Sequence, residues 1–173
     1  LMAKAFDKHP YNHTTMGFER DIQAMPKLYD YSRTFFSRYY RPDNTVLFIA
    51  GGVQPARVFP LVEKYYGDWK RGYVPPQIPV EPEQKAERRV DVQYDGQTLP
   101  IVRVEYKLPA FDPADKSVVA INLLAQLAFG ETSAAYRRLV LDEQVVDHLD
   151  ASGTLHRDPY LFDIHTRIKD PAK

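Results

Sequence analysis

Phe35-Phe36-Ser37-Arg38-Tyr39-Tyr40-Arg41-Pro42-Asp43-Asn44-Thr45-Val46-Leu47-Phe48-Ile49-Ala50-Gly51-Gly52 is the stretch on which the reading of this chain turns. An aromatic helix end turns at Pro42 into the apolar run Val46 to Ala50, flanked by Asp-Asn-Thr on one side and Gly-Gly on the other. Such a run predicts a strand covered on both faces. Gly51-Gly52 then releases the chain. Val58, Leu61, Val62, Tyr65 and Tyr66 recur at helical spacing before a stop at Gly67, so the local order is helix, strand, helix. Upstream, Met25-Pro26 opens the first of these helices, with Pro26 suited to its first turn. Leu28, Tyr31, Phe35 and either Phe36 or Tyr39 form a stripe expected to pack on the strand that follows.

Further toward the start, Leu1 to Lys8 reads as the last turns of a helix, and the chain reads as cut out of something longer. His9-Pro10-Tyr11-Asn12-His13 follows as a loop. His9 and His13 are four apart, which on a helix would place both on one face as metal ligands, but Pro10 and Asn12 disfavour a helix there. Gly17 and Glu19 to Ile22 give a short turn before a helix. On the other side, Arg71 to Gln84 carries four prolines in fourteen residues and predicts an extended, semi-rigid linker.

Beyond the linker, Arg89 to Asp95 and Ile101 to Leu108 alternate polar and apolar residues around an Asp95-Gly96 turn, predicting two neighbouring strands. Asp112-Pro113 reads as a cap and first turn for a helix whose Val118, Ile121, Leu124, Ala125 and Ala128 share a face, closed by Gly130. Thr132 or Ser133 caps the next helix, and Val145 to Leu155 and Tyr160 to Lys169 read as two more strands. In the last strand Phe162, Ile164, Thr166 and Ile168 point one way, and Asp163, His165, Arg167 and Lys169 the other. The class is α+β, with helices on one face of a mainly antiparallel sheet.

At 173 residues, 44% apolar and 27% charged, the composition is globular. Basic and acidic residues both number 23, so no overall positive field recruits nucleic acid or an anionic membrane. No run of apolar residues approaches the roughly 18 needed for a membrane span, and the start carries no signal-peptide apolar region. The absence of cysteine excludes disulfides, thiolate metal sites and a cysteine nucleophile. It leaves a periplasmic or a cytoplasmic location open, with a slight lean to the periplasm.

The succession of aromatic helix end, Tyr39-Tyr40-Arg41-Pro42-Asp43-Asn44, apolar strand, Gly-Gly, helix and Tyr65-Tyr66-Gly67-Asp68-Trp69 resembles the insulinase/pitrilysin family of zinc peptidases, which includes the mitochondrial processing peptidase subunits. Phe129-Gly130-Glu131-Thr132-Ser133 with Tyr136-Arg137-Arg138-Leu139 extends the likeness, which runs from about His9 to the end and points to the inactive domain region of a bacterial-type member. The resemblance implies two related layers, each a metallopeptidase-half-like variant of the ferredoxin-like fold, joined by the Pro-rich linker. It divides the chain into the end of a first half at 1–70, a linker at 71–89 and the start of a second half at 90–173. It also implies a bacterial zinc metalloendopeptidase as parent, in which this portion helps enclose a peptide held by a zinc-bearing half.

The family's zinc motif, His-x-x-Glu-His on one helix with a later glutamate, is absent. Histidines stand only at 9, 13, 148, 156 and 165, and no pair brackets a glutamate at that spacing. The expectation is therefore no catalytic residue, no metal ligand and no cofactor in this portion, which alone should be inactive, with zinc in the parent's catalytic half. The resemblance implies as partners that half or a partner subunit, a peptide substrate, and homodimeric or heterodimeric pairing. Active relatives often supply an arginine and, seven residues on, a tyrosine near the substrate carbonyl. By that register this chain has Leu141 and His148, with Arg137 and Arg138 one helical turn away, and His148, Arg137 and Arg138 are the candidate substrate contacts. The plainer alternative solvates both arginines or pairs them with Asp142 or Glu143, and leaves His148 in a surface ion pair with Asp147 and Asp150. For the whole, the alternative function is a structural or partner subunit that has lost zinc and catalysis. A small-molecule binding module stands third, without a motif.

Overall fold

The computed structural model describes residues 1–169 and divides the chain into two compact units, Leu1–Lys85 and Ala86–Lys173. Residues 170–173, the end of the expected second half, lie outside the described residues.

In the amino-terminal unit, helix α1 (Met2–Ala5) runs into Phe6, which is buried against the edge of Tyr11 at 5.8 Å. The expected loop from His9 to His13 winds as a 3-10 turn over Pro10–Asn12, because buried His9 caps it by accepting a hydrogen bond at Nδ1 from the Tyr11 amide at 3.1 Å. Helix α2 (Glu19–Ala24) follows with two acidic residues in its first turn, where they complement the helix dipole. Met25-Pro26 opens a 3-10 turn, Met25–Lys27, and helix α3 starts only at Tyr29, ending at Tyr39. Helix α4 (Pro55–Tyr66) begins with proline at its first position and stops at Gly67, as the sequence predicts.

The run Val46 to Ala50 departs from expectation. It is extended but pairs with no strand among the described residues, and Val46 and Phe48 are 93% and 87% exposed. A buried strand needs ladder partners and covering layers, and this unit supplies neither to the run among its described residues. The aromatic stripe on α3 accordingly packs along its own helix, Phe35 on Tyr39 and Phe36 on Tyr40 at 4.5 Å each, with Phe35 and Phe36 largely exposed. The Pro-rich stretch is extended but tied down. Asp43 Oδ2 accepts from the amides of Gly72 and Tyr73 at 3.0 Å each, and Gly72 adopts φ +127°, which only glycine takes easily. Those bonds, Gly72's first, hold the Asp43 carboxyl below its ordinary pKa. Glu81 accepts from the amides of Asp7, Lys8 and His9 at 2.7–2.9 Å.

In the carboxy-terminal unit, Arg89 to Asp95 forms no strand, and Val92 and Tyr94 are 77% and 74% exposed. Their alternation finds no neighbour to pair with among the described residues of this unit. Strand β1 (Ile101–Leu108) forms as predicted. Asp112 makes a local turn, its Oδ1 accepting from the Ala114 amide at 2.9 Å, and the helix cap moves to Asp115, whose Oδ1 accepts from the Ser117 amide at 2.8 Å. Pro113 therefore lies before the helix and not inside it. Helix α5 (Lys116–Phe129) closes at Gly130, and it places Val118, Ile121, Ala125 and Phe129 toward the sheet while Leu124 stays exposed. Buried Ser133 caps helix α6 (Ala134–Tyr136), its Oγ accepting from the Tyr136 amide at 3.0 Å, and a π-helical turn continues over Arg137–Asp142.

By length and composition the helical stretch Lys116–Asp142, 27 residues, contains a segment apolar enough to cross a membrane, against the expectation from the sequence. The chain breaks at Gly130–Ser133, however, and α5 at 14 residues spans about 21 Å, short of the roughly 30 Å hydrocarbon core.

Strands β2 (Val146–Gly153) and β3 (Tyr160–Ile168) complete an antiparallel sheet of order β1-β3-β2, so β3 is central. The core lies between α5 and the sheet, with Ala125, Val146, Leu149 and Phe162 buried; Leu161, also buried, alternates to the other face of β3. Gly153 permits a close approach of helix and strands there: a Cβ would meet Ile121 Cγ2 and Leu108 Cδ1 at 3.0 Å each.

Candidate functional site

The face of the sheet away from α5 collects the polar side chains. On β3, Phe162 and Ile164 share the core side, which leaves Asp163, His165 and Arg167 on the other face. Register then brings Arg103 and Glu105 of β1 opposite His165 and Asp163, and Asp150 of β2 opposite His165. The pairing of β2 is irregular between Val146 and Leu149. Both of those residues are buried, so the irregularity turns Asp147 and His148 together onto the polar face, as a bulge re-aims side chains.

Each group there is held by a neighbour. Arg167 binds Asp147 Oδ2 at 2.6 Å, and Asp147 also bonds His148 Nδ1. Burial pushes the Asp147 carboxyl up, but the bonds to His148 and Arg167 outweigh it and leave it below its ordinary pKa. Arg103 meets Asp163 through Nε at 3.0 Å and its terminal nitrogen at 2.7 Å, a forked pair that raises the guanidinium pKa. Asp163 Oδ2 also lies 3.2 Å from His165 Nδ1.

Glu105 pays for this crowding. Burial first, then the charge and hydrogen bond of Asp163, push its carboxyl from 4.5 up to about 7 against the opposing pull of Arg103. With a folded pKa above the unfolded one, Glu105 supports the fold fully below about pH 4.5, and that support is lost as pH rises through about 7. Glu105→Gln is therefore expected to stabilise the chain at pH 8, by on the order of 1 kcal/mol after solvent screening, and to change nothing at pH 4. Thermal melts at both values check this. A variant melting below the parent at pH 8 would count against it.

Of the candidate substrate contacts, Arg138 lies on the π-helical turn and pairs through Nε with Glu143 Oε1 at 2.7 Å, while Arg137 is exposed. Leu141 is 56% exposed on the same turn. His148 sits on the sheet, bonded to Asp147, with Nε2 at 3.7 Å from Asp150 Oδ2. The two arginines and His148 thus belong to different elements, and no bond joins them among the described residues. His148 and Asp150 also line an open hollow beside Ala125, Phe129, Gly130 and Tyr136.

Sequence spacing missed His165, which faces His148 with ring centroids 5.4 Å apart. The two stand seventeen positions apart in sequence, and only strand pairing brings them together. His9 and His13 do not converge: His9 caps its turn, and His13 bonds the Thr14 carbonyl at 2.8 Å. The hydrolytic zinc of the resembling family has no seat among the described residues, because no helix carries two histidines bracketing a glutamate.

A family model described as the peptidase M16 inactive domain matches residues 28–172. Over 146 residues the chain is 34% identical to a Helicobacter pylori protein named zinc protease PqqE, covering 83% of this chain and 31% of that protein. Among solved structures, one described as a protease from Helicobacter pylori superposes with a TM-score of 0.81 at 27% identity, covering 98% of this chain and 41% of that one. The chain thus spans well under half the length of either relative.

Proposed function

Because the chain belongs to the peptidase M16 family through that family's inactive domain, we propose that it is the non-catalytic portion of a zinc metalloendopeptidase and helps enclose a peptide held by a zinc-bearing half. The observation that carries this reading is the match over residues 28–172, together with a chain that has no His-x-x-Glu-His motif. Its contribution is to bind and exclude water, not to activate it. The polar sheet face, with alternating carboxylates and guanidiniums, offers partners to peptide backbone and side chains, and burial of a peptide there would strengthen those contacts. His148 on that face, and Arg137 and Arg138 on the separate π-helical turn, are proposed as contacts. The test is a peptide-cleavage assay of the chain alone and together with a zinc-bearing half.

The same reading treats 71–89 as the connection between two halves of the parent. Glu81 and Asp43 anchor the part from Gly72 to Glu81, so limited trypsin digestion is expected to cut first between Lys85 and Arg89 and leave two resistant fragments. First cleavage within α5 or within β1 to β3 would place the boundary elsewhere.

A further inference from the structure

We propose that His148, Asp150 and His165 form a binding site for a first-row divalent transition-metal ion of the zinc type. The three offer one ligand atom each within 4.8 Å of one another. Asp150 Oδ2 stands 3.7 Å from His148 Nε2 and 3.8 Å from His165 Nε2. A tetrahedral ion with bonds of about 2.0–2.2 Å sets its ligands roughly 3.4 Å apart, so modest side-chain rotation closes the set.

The backing of the ring nitrogens carries the argument further than the spacing does. Both histidines turn Nε2 toward Asp150, and each has a carboxylate behind Nδ1: Asp147 for His148 and Asp163 for His165. A carboxylate on the far nitrogen fixes the tautomer that frees Nε2 for a metal and raises the basicity of the ring. His165 Nδ1 is buried and lacks a well-aligned hydrogen bond although Asp163 Oδ2 is only 3.2 Å away. Metal at Nε2 would place a proton on Nδ1 and draw that bond straight. The carboxylates are in turn held, Asp147 by Arg167 and Asp163 by Arg103. Ligand, backing carboxylate and guanidinium therefore run in two chains across adjacent strands.

Next to the ligand atoms the carboxylates of Asp147, Asp150 and Asp163 outnumber the guanidiniums of Arg103 and Arg167, while Lys107 and Lys169 share this face farther along the strands. Two imidazoles and one carboxylate suit zinc, cobalt or nickel, and are too nitrogen-rich for calcium or magnesium. Asp150 is 63% exposed, so a fourth position stays open to water or to a group of a bound peptide. No glutamate stands among these ligands as the family's helix motif would supply it, so the site is assigned to holding the polar face rigid and not to hydrolysis.

The chain, stripped with a chelator and dialysed, is titrated with Co2+ by visible absorption and with Zn2+ against a chromophoric chelator. The expected result is one ion per chain, with Zn2+ raising the melting temperature of the parent chain. His148→Ala, His165→Ala and Asp150→Asn should each abolish one-to-one binding, and His13→Ala should leave it unchanged. Asp147→Asn and Asp163→Asn should weaken it about tenfold to a hundredfold. Melting curves of the metal-free variants show that each folds, and exposed Asp150→Asn serves if a histidine variant does not. No binding at about 100 μM metal, or binding that all three ligand variants retain, overturns the site and leaves a hydrogen-bonded His–Asp cluster only.

Discussion

Replacing Phe162 with alanine is expected to lower the unfolding free energy by about 3–5 kcal/mol, enough to threaten the carboxy-terminal sheet at 37 °C. Phe162 is buried on the central strand, its ring centroid 6.5 Å from that of Phe129 on α5, and its Cδ2 fills the space that Gly153 leaves on β2. It therefore touches the helix and a neighbouring strand at once. Its loss opens a cavity that the few buried neighbours on that side, Ala125 and Leu149, are too small or too constrained to fill. Phe59 on α4 is 70% exposed, and Phe59→Ala should stay within about 0.5 kcal/mol of the parent. Denaturant melts followed by far-ultraviolet circular dichroism check both. Equal effects from the two substitutions would mean that the core does not lie between α5 and the sheet.

What the sequence made legible follows from the range of the interactions involved. Helix α4, the stop at Gly130, the Ser133 cap and strands β1, β2 and β3 are set by neighbours within a few residues, by periodicity, capping and turn chemistry, and the structure has them near where those signals place them. Val46 to Ala50 and Arg89 to Asp95 carry strand patterns equally clear, yet neither pairs among the described residues. A strand pattern states what a segment tolerates, and only a ladder partner makes it a strand. Asp112 and Asp115 show a finer limit: both can accept amide hydrogens, and the competition was decided by where helical geometry began.

The polar face was half legible. Alternation on β3 placed Asp163, His165 and Arg167 together, and proximity in sequence joined His148 to Asp147 and Asp150. Spacing could not show that β2 and β3 pair with Asp150 opposite His165, nor that an irregularity turns Asp147 and His148 to one side. A histidine read as one of five scattered residues thus acquires a second histidine as neighbour. The sequence signal that was available is the recurrence of Asp and His at alternate positions on two adjacent strand patterns, His148-x-Asp150 and Asp163-x-His165.

The other large expected effect is all or none. Hydrolysis of a peptide by this family's chemistry needs a metal-bound water together with a glutamate base beside it, and the chain provides no such pair on one helix. Without that assistance the residual rate is that of water, lower by many orders of magnitude than an enzymatic one. The decisive measurement is cleavage of an unstructured fluorogenic peptide by the 173-residue chain, by a zinc-bearing half containing His-x-x-Glu-His, and by the two combined. The account predicts no turnover by the chain alone with or without added Zn2+, and turnover by the combination that exceeds that of the zinc-bearing half by itself. If the parent proves to lack the motif and only a separate zinc-bearing subunit restores cleavage, the chain is part of a partner subunit. Zinc-dependent hydrolysis by the isolated chain, lost in His148→Ala and His165→Ala, would contradict the account and move the chemistry onto the polar face of the sheet.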